Sequence, residues 1–514
     1  MPTLRERLAE PNVFVVAAEL VTSRGLLSHS GQALVELAQQ LAADPRIDVL
    51  SITDNPGGNA MIAPDMLGNR MRELGQEVIL HFACKDMNRN GIESRAWKAA
   101  SAGLNNILAL TGDYPIAGHT GAAAPVFDID SVGLLQMLSD MNAGAQETRA
   151  PDGHLTATNF YAGCVVTNHK LHEREVMPQY FKLAKKARAG ARFVFNQVGW
   201  NVRKDDELLR WVHAQGLDLK LVANVYLLTR GVARVFHSGK IPGVVVSDAL
   251  LAQAEKYGGG EDKGREFFTD LAAKHVAVAR GLGFNGAYIG GHMPIERYGE
   301  ILDRAGQYRG DDWLEAARDL LYDRPGEFYL YGEDPRTGLS EAQRRPEYLE
   351  RKAKRQTDLP VPARYRLSRR MHNAVFAQDA PLFDLGTRLY SKLEDAPKSV
   401  QRAAHLAEQA TKVPMFNCQD CGDCSLPEVA YVCPEGPCAK NQRNGPCGGT
   451  RDGLCEVYDT ECIWAQAYER LKAYGEEEQM LDGPVVVKNN ALRGTSAWAN
   501  TFLHRDHSTN DKDH

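Results

Sequence analysis

Long apolar runs are missing from this 514-residue chain, and no segment has the length a membrane-spanning helix needs. Extended basic runs are missing too. With a formal net charge of −6, nucleic acid and anionic lipid are poor main partners. The apolar run Val13–Ala18 follows Arg5, Glu6 and Arg7 but stops at Glu19 without a small-residue cleavage site. It reads as a first buried strand and not as a signal peptide. Cysteine is the scarcest residue over most of the chain: before residue 400 there are only Cys84 and Cys164, which read as small buried hydrophobes. A cytoplasmic protein is expected, and that setting excludes a disulfide framework.

What is present is concentrated at one end. Eight of the ten cysteines are Cys418, Cys421, Cys424, Cys433, Cys438, Cys447, Cys455 and Cys462. The remaining composition, 43% apolar and 25% charged, is that of an ordinary globular chain. Its length allows a large barrel with an appendage.

Over residues 1–300, β-rich runs alternate with helical periodicity. The strand candidates are 14–19, 49–53, 78–83, 106–111, 160–166, 192–197, 219–225 and 286–289, with helical patterns between them such as 31–43, 179–189 and 206–215. Near-continuous apolar strands separated by helices indicate a parallel sheet with right-handed crossovers. Eight such units predict an α/β fold of the (β/α)8 TIM-barrel type. A doubly wound open sheet is the alternative, but it ordinarily carries a Gly-rich phosphate turn after its first strand, and Glu19–Gly25 has none. Residues 301–410 change to Arg-rich helical patterns broken by Pro325, Pro335, Pro346, Pro360 and Pro362, which predicts a helical connector with a solvated charged face. The Cys-rich domain is expected at 411–480. A polar tail follows over 481–514, and its last stretch, "HRDHSTNDKDH", reads as mobile, with histidines that need no ligand.

In a TIM barrel the chemistry lies at the C-terminal ends of the strands. Those positions hold Glu19, Thr53 and Asp54, His81, then Thr111, Gly112 and Asp113 in "ALTGDYP", then Thr167, Asn168 and His169, Gln197, and the glycines of "YIGGH". Any one polar residue there is unremarkable, because strand ends are where chains turn polar. The set around one rim predicts a cleft. Glu19 follows six apolar residues, and a carboxyl so placed can have a raised pKa and act as a general acid. Gln197 offers a donor and an acceptor, which suits the edge of a pterin-like ring.

Structural zinc takes four ligands, usually from two Cys-x-x-Cys knuckles a dozen or more residues apart. Here Cys418, Cys421 and Cys424 follow one another at x2 intervals before Cys433-Pro434, a partial match to the bacterial ferredoxin run. Eight thiolates divide into two groups of four, so two [4Fe-4S] clusters are favoured, with zinc as the alternative.

The motifs "AAELVTSRG", "LSITDNPGGN", "ILHFACKD", "NILALTGDYP", "VVTNHK" and "KKARAGARFVFNQ" make the first 300 residues resemble methylenetetrahydrofolate reductases, which are flavin-dependent TIM barrels. Position by position, the resemblance implies that Glu19 is the general acid for opening the folate ring. It places Asp113 near both flavin and folate, and Gln197 on the pterin and the nicotinamide. Thr53, His81, Thr111, Gly112, His169 and Lys186 fall on flavin-contact positions, and Ala191 on a small residue supporting them. "DCGDC", "NGPCGG" and "DGLCEV" resemble the C-terminal domain fused to some of these reductases, which in other members is a separate subunit carrying redox centres.

The resemblance thus implies an oxidoreductase of the class acting on CH–NH groups. It interconverts 5,10-methylene- and 5-methyltetrahydrofolate through FAD, with NADH or a ferredoxin-like donor as partner and an oligomer expected. Departures at Leu20, Val21 and Thr22, at Thr111, and at Val165, Val166 and Thr167 leave FMN as an alternative to FAD. They also leave a second reading, a folate-binding or electron-transfer subunit with a degenerate flavin site. A pterin-dependent methyl-transfer barrel is the third, disfavoured because no cobalamin-binding segment is recognisable.

Overall fold

The computed structural model describes residues 2–116, 119–144, 154–352 and 361–508. Eight parallel strands close a barrel in sequential order: β1 (Val15–Leu20), β2 (Val49–Ile52), β3 (Glu77–Ala83), β4 (Asn106–Leu110), β5 (Tyr161–Val166), β6 (Phe193–Asn196), β7 (Lys220–Tyr226) and β8 (Gly286–Gly290). Each lies within about two residues of its predicted run, because apolar strands buried on both faces are the strongest local signal such a fold offers. Ala17 pairs with Val49 on one side and Tyr288 on the other, which closes the cylinder.

Alternate residues divide the core in two. One set, including Ala17, Val49, Leu108, Phe193 and Phe195, fills the barrel interior, and Leu4 and Leu8 pack beneath it. Those leucines come from the helix Leu4–Ala9, which is started by a capping box between Thr3 and Glu6. The other set faces the surrounding helices and forms the larger core. The two isolated cysteines, Cys84 and Cys164, are fully buried and unpaired, as expected of small hydrophobes.

Beyond β8 the molecule departs from the all-helical connector that was expected. The helix Ile295–Ala305 packs against the barrel helix Arg265–Leu282 and crosses the predicted boundary at residue 300. A hairpin then pairs Tyr331–Glu333 with Ser340–Arg344. The turn between them is made by Gly338 at φ +75°, whose N–H donates to Asp334 O at 2.8 Å. Buried Asp206, on a barrel helix, accepts from Ser340 N at 2.8 Å and fixes the hairpin to the barrel. The charge-rich composition of this stretch conceals that role.

The described part of the tail, residues 481–508, is also folded where its composition implies a mobile stretch. The helix Ala497–Phe502 places Phe502 among Phe376, Phe383 and Tyr390. His507 is buried, 2.5 Å from Asp423 and 3.2 Å from Glu428. The final residues, 509–514, and Pro360 lie outside the described residues. Among the described residues, no helix is long and apolar enough to cross a membrane.

Candidate functional site

The C-terminal ends of the strands open into a cavity of about 350 Å³ that brings together Glu19, Thr53, His81, Asp113, Lys186 and Gln197. Thr111 and Gly112 also line it. Glu19, on β1, is half-buried and lines this space. Its Oε1 accepts from Tyr288 Oη at 2.9 Å and its Oε2 from Gly291 N at 3.1 Å. Burial raises its pKa, and these two hydrogen bonds oppose the rise without cancelling it. A Cβ at Gly290 would lie 2.7 Å from Glu19 Oε2, so this glycine of "YIGGH" makes room for the carboxyl. Tyr288, in the same motif, was missed as a functional residue because its apolar neighbours mark it as strand core.

Asp113 follows Gly112, whose φ of +91° turns the chain out of β4 toward the mouth. Its Oδ2 accepts from Gly57 N at 2.9 Å. Gln197 ends β6, and its Oε1 accepts from Val198 N at 2.9 Å, which orients the amide. His81 is held by Ser51 Oγ at 2.8 Å, and burial, aided by the charge of Arg95, lowers its pKa to about 3. It is therefore a neutral imidazole. Thr53 donates to Leu20 O at 3.3 Å and accepts from Thr22 N at 3.2 Å, tying β1 to β2.

Three of the positions that the resemblance gives to flavin are engaged by the chain itself. Thr111 Oγ1 donates to Gln442 Oε1 at 3.3 Å, Gly112 O accepts from Lys440 Nζ at 2.8 Å, and Lys186 Nζ donates to Val165 O at 2.6 Å. Burial lowers the pKa of Lys186 to about 8. His169 is not in this cavity. It lies 3.3 Å from Asp205 and lines a neighbouring cavity of about 610 Å³.

The wall opposite Glu19 comes from the Cys-rich region: Lys440, Pro446, Cys447, Gly448, Gly449 and Glu456 line the same cavity. No local sequence signal announces this, since it depends on how two distant segments pack. The eight cysteines separate into two groups of four. Cys418, Cys421, Cys424 and Cys433 surround one small void of about 20 Å³, and Cys438, Cys447, Cys455 and Cys462 another of the same size. Backbone N–H groups point at the sulfurs, as from Gln442 to Cys438, from Glu435 and Gly436 to Cys433, and from Trp464 and Ala465 to Cys462. Among the described residues, no three His, Cys, Asp or Glu side chains converge on a single-ion position.

Residues 5–280 match the family model described as methylenetetrahydrofolate reductase, and residues 398–490 the model described as methylene-tetrahydrofolate reductase C terminal. "Methylenetetrahydrofolate reductase 2" of Saccharomyces cerevisiae is 24% identical over 185 residues, covering 35% of this chain and 28% of that protein. Among solved structures, an uncharacterized protein from Clostridium thermocellum, described as binding two copies of 5-methyl-5,6,7,8-tetrahydrofolic acid, aligns at 10% identity. It covers 59% of this chain and 98% of its own, with a TM-score of 0.42. A putative deoxyribose-phosphate aldolase from Toxoplasma gondii ME49 aligns at 12% identity over 58% of this chain and 94% of its own, with a TM-score of 0.29.

Proposed function

Because this chain belongs to the methylenetetrahydrofolate reductase family, we propose that it interconverts 5,10-methylene- and 5-methyltetrahydrofolate in the barrel mouth. The observation that carries this reading is the buried Glu19 carboxyl with its raised pKa, sharing one cavity with Asp113 and Gln197. A cavity of about 350 Å³ admits a pterin bicycle. Gln197 meets the pterin edge and Asp113 accepts from its N–H groups. In the reducing direction Glu19 gives its proton to the folate nitrogen that leaves the methylene carbon, the five-membered ring opens, and the carbon is left as an iminium ready for hydride. Tyr288 and Gly291 hold the carboxyl toward that nitrogen and stabilise the carboxylate left behind.

Glu19→Gln is expected to lower folate turnover by about 10²–10⁴-fold while leaving 5-methyltetrahydrofolate binding within a few-fold of wild type. Full activity in the variant would sink the assignment. Since the reducing direction needs the protonated acid, its rate is expected to fall as pH rises through the raised pKa of Glu19. The oxidising direction, which needs the carboxylate, is expected to rise.

The family's flavin would be FAD or FMN. Thr53, His81, Asp113, Thr111, Gly112 and Lys186 line the cavity, but Thr111 Oγ1, Gly112 O and Lys186 Nζ each already bond the chain, and His169 lines the neighbouring cavity. The set does not fit a resident flavin.

The cysteines do fit metal centres as a donor set. Two thiol quartets with N–H groups directed at sulfur suit two [4Fe-4S] clusters, and such N–H contacts tune them. Clusters would supply one-electron transfer. Iron, acid-labile sulfide and zinc assays on anaerobically purified protein test this: about eight irons per chain are expected under the proposal, and two zincs with no iron would refute it.

A further inference from the structure

The segment from Lys440 to Thr450 lies over the side of the mouth where the resemblance places flavin, and the barrel holds it as it would a ligand. Gln179, Lys182 and Lys186 share one face of the helix Glu173–Arg188, at i, i+3 and i+7, beside the mouth. Gln179 Nε2 donates to Cys447 O at 2.7 Å. Lys182 Nζ donates to Gln442 Oε1 at 2.9 Å and Gly445 O at 3.0 Å. Lys170 Nζ donates to Gly448 O at 2.8 Å and also to Thr450 O. The cations that a phosphate arm would seek are thus occupied by carbonyl and amide oxygens. Lys182 also lies 3.5 Å from the buried carboxylate of Asp130, which also accepts from Asn444 of the same segment. A phosphate placed there would meet that negative charge at close range with little water to screen it.

We infer that this segment stands in the place of the flavin, so that the chain processes folate with no flavin resident in the barrel and takes hydride from a dissociable reduced nicotinamide. The inference rests on the folate reading above for its substrate, but not for the filled seat. The step balances. The C4–H bond of the dihydronicotinamide breaks, its electron pair forms the new C–H bond at the iminium carbon, and the nicotinamide leaves oxidised. The proton from Glu19 ends on the folate nitrogen. Space for the rest of the donor is at hand: the cavity of about 610 Å³ adjoins the folate cavity and shares Ile241, Pro242, Val244 and Gly449 with it.

The test uses the full chain, purified anaerobically, equilibrated with excess FAD or FMN and freed of unbound flavin by gel filtration. Expected are far less than one flavin per chain, calorimetric binding of 5-methyltetrahydrofolate in the same sample, and oxidation of reduced nicotinamide only when 5,10-methylenetetrahydrofolate is added. One tightly held flavin per chain overturns the inference, whatever folate does. A flavin-free sample that binds folate but leaves the nicotinamide untouched overturns the hydride route. A flavin-free sample that binds no folate overturns the proposed function and upholds the filled seat. Gly448→Ala sharpens the assignment, because the added Cβ would lie 2.5 Å from Thr167 Oγ1 and push the segment off the barrel. Flavin retention several-fold above wild type is expected, and no gain in a variant with native circular dichroism counts against the segment as the barrier.

Discussion

The barrel and the Cys-rich region keep their shapes by opposite means. In the barrel every strand is paired on both sides, and the interior is filled by alternating apolar residues. Between Asn417 and Cys462 the only strands are two residues long. The backbone there enters the left-handed region at Asn417, Asp420, Ala430, Tyr431, Asn441, Asp452 and Asp459, none of them glycine. Asn and Asp tolerate this conformation, but consecutive Ala430 and Tyr431 each cost about 1–2 kcal/mol. Such strain persists only where the surroundings over-determine the fold. The barrel is held by paired strands and burial, whereas the Cys-rich region has almost no strand pairing to hold its backbone.

The largest effect expected from that difference is on metal removal. If the thiol quartets hold the proposed metal, stripping it is expected to abolish hydrogen-exchange protection across 417–462 while β1–β8 stay protected, since binding energy and folding energy are one quantity in small thiolate sites. A barrel that loses protection at the same time would break the contrast. The next largest lies in the barrel. Buried Asp205 meets Asn168 at 2.8 Å, Asn196 at 2.6 Å, His275 at 3.2 Å and His169 at 3.3 Å, and these partners hold its carboxyl far below the usual range. Asp205→Ala is expected to cost about 3–5 kcal/mol in denaturant unfolding, because its partners are left buried and unpaired.

A smaller effect falls on the seam. Glu173, on a barrel helix, accepts from Tyr468 Oη at 2.5 Å and Lys472 Nζ at 2.9 Å of the Cys-rich region, and pairs with Arg351 of the connector. Glu173→Gln is expected to cost about 1–3 kcal/mol, seen as earlier proteolytic release of the C-terminal part with an unchanged barrel transition. The smallest effect concerns Glu19. Its folded pKa is raised, so the unfolded chain ionises first as pH climbs, and the group destabilises the fold increasingly from its unfolded pKa up to its folded one. At neutral pH Glu19→Gln is therefore expected to leave the barrel as stable as wild type or slightly more so, by thermal melts, despite losing turnover.

The barrel was legible because its evidence is local: each apolar run declares a strand, and the polar residue ending it declares the rim. Glu19, Asp113 and Gln197 converge in one cavity for that reason. His169 did not follow, because this residue, three past the end of β5, lies against Asp205 on the helix Val202–Ala214 that follows β6, and sequence position says nothing of that contact. The hairpin at Tyr331–Arg344 was hidden by charge, its arginines and carboxylates serving as partners at a seam. Tyr288 read as core because one side chain can end a hydrophobic strand and still carry a hydroxyl to Glu19. The docking of Lys440–Thr450 on the barrel was out of reach, since its hydrogen bonds join residues more than 250 positions apart.

Cys447 belongs to two enclosures at once, one of the four thiols around the second void and part of the wall of the barrel-mouth cavity. Whatever the thiols hold and whatever the barrel holds therefore press on the same few backbone atoms. Thermodynamic linkage makes that pressure reciprocal: if filling the quartet tightens folate binding by some factor, folate must tighten the quartet's hold on its metal by the same factor. Under the proposed folate and metal sites, substrate supply would then protect the metal centre, and a starved protein would lose it first.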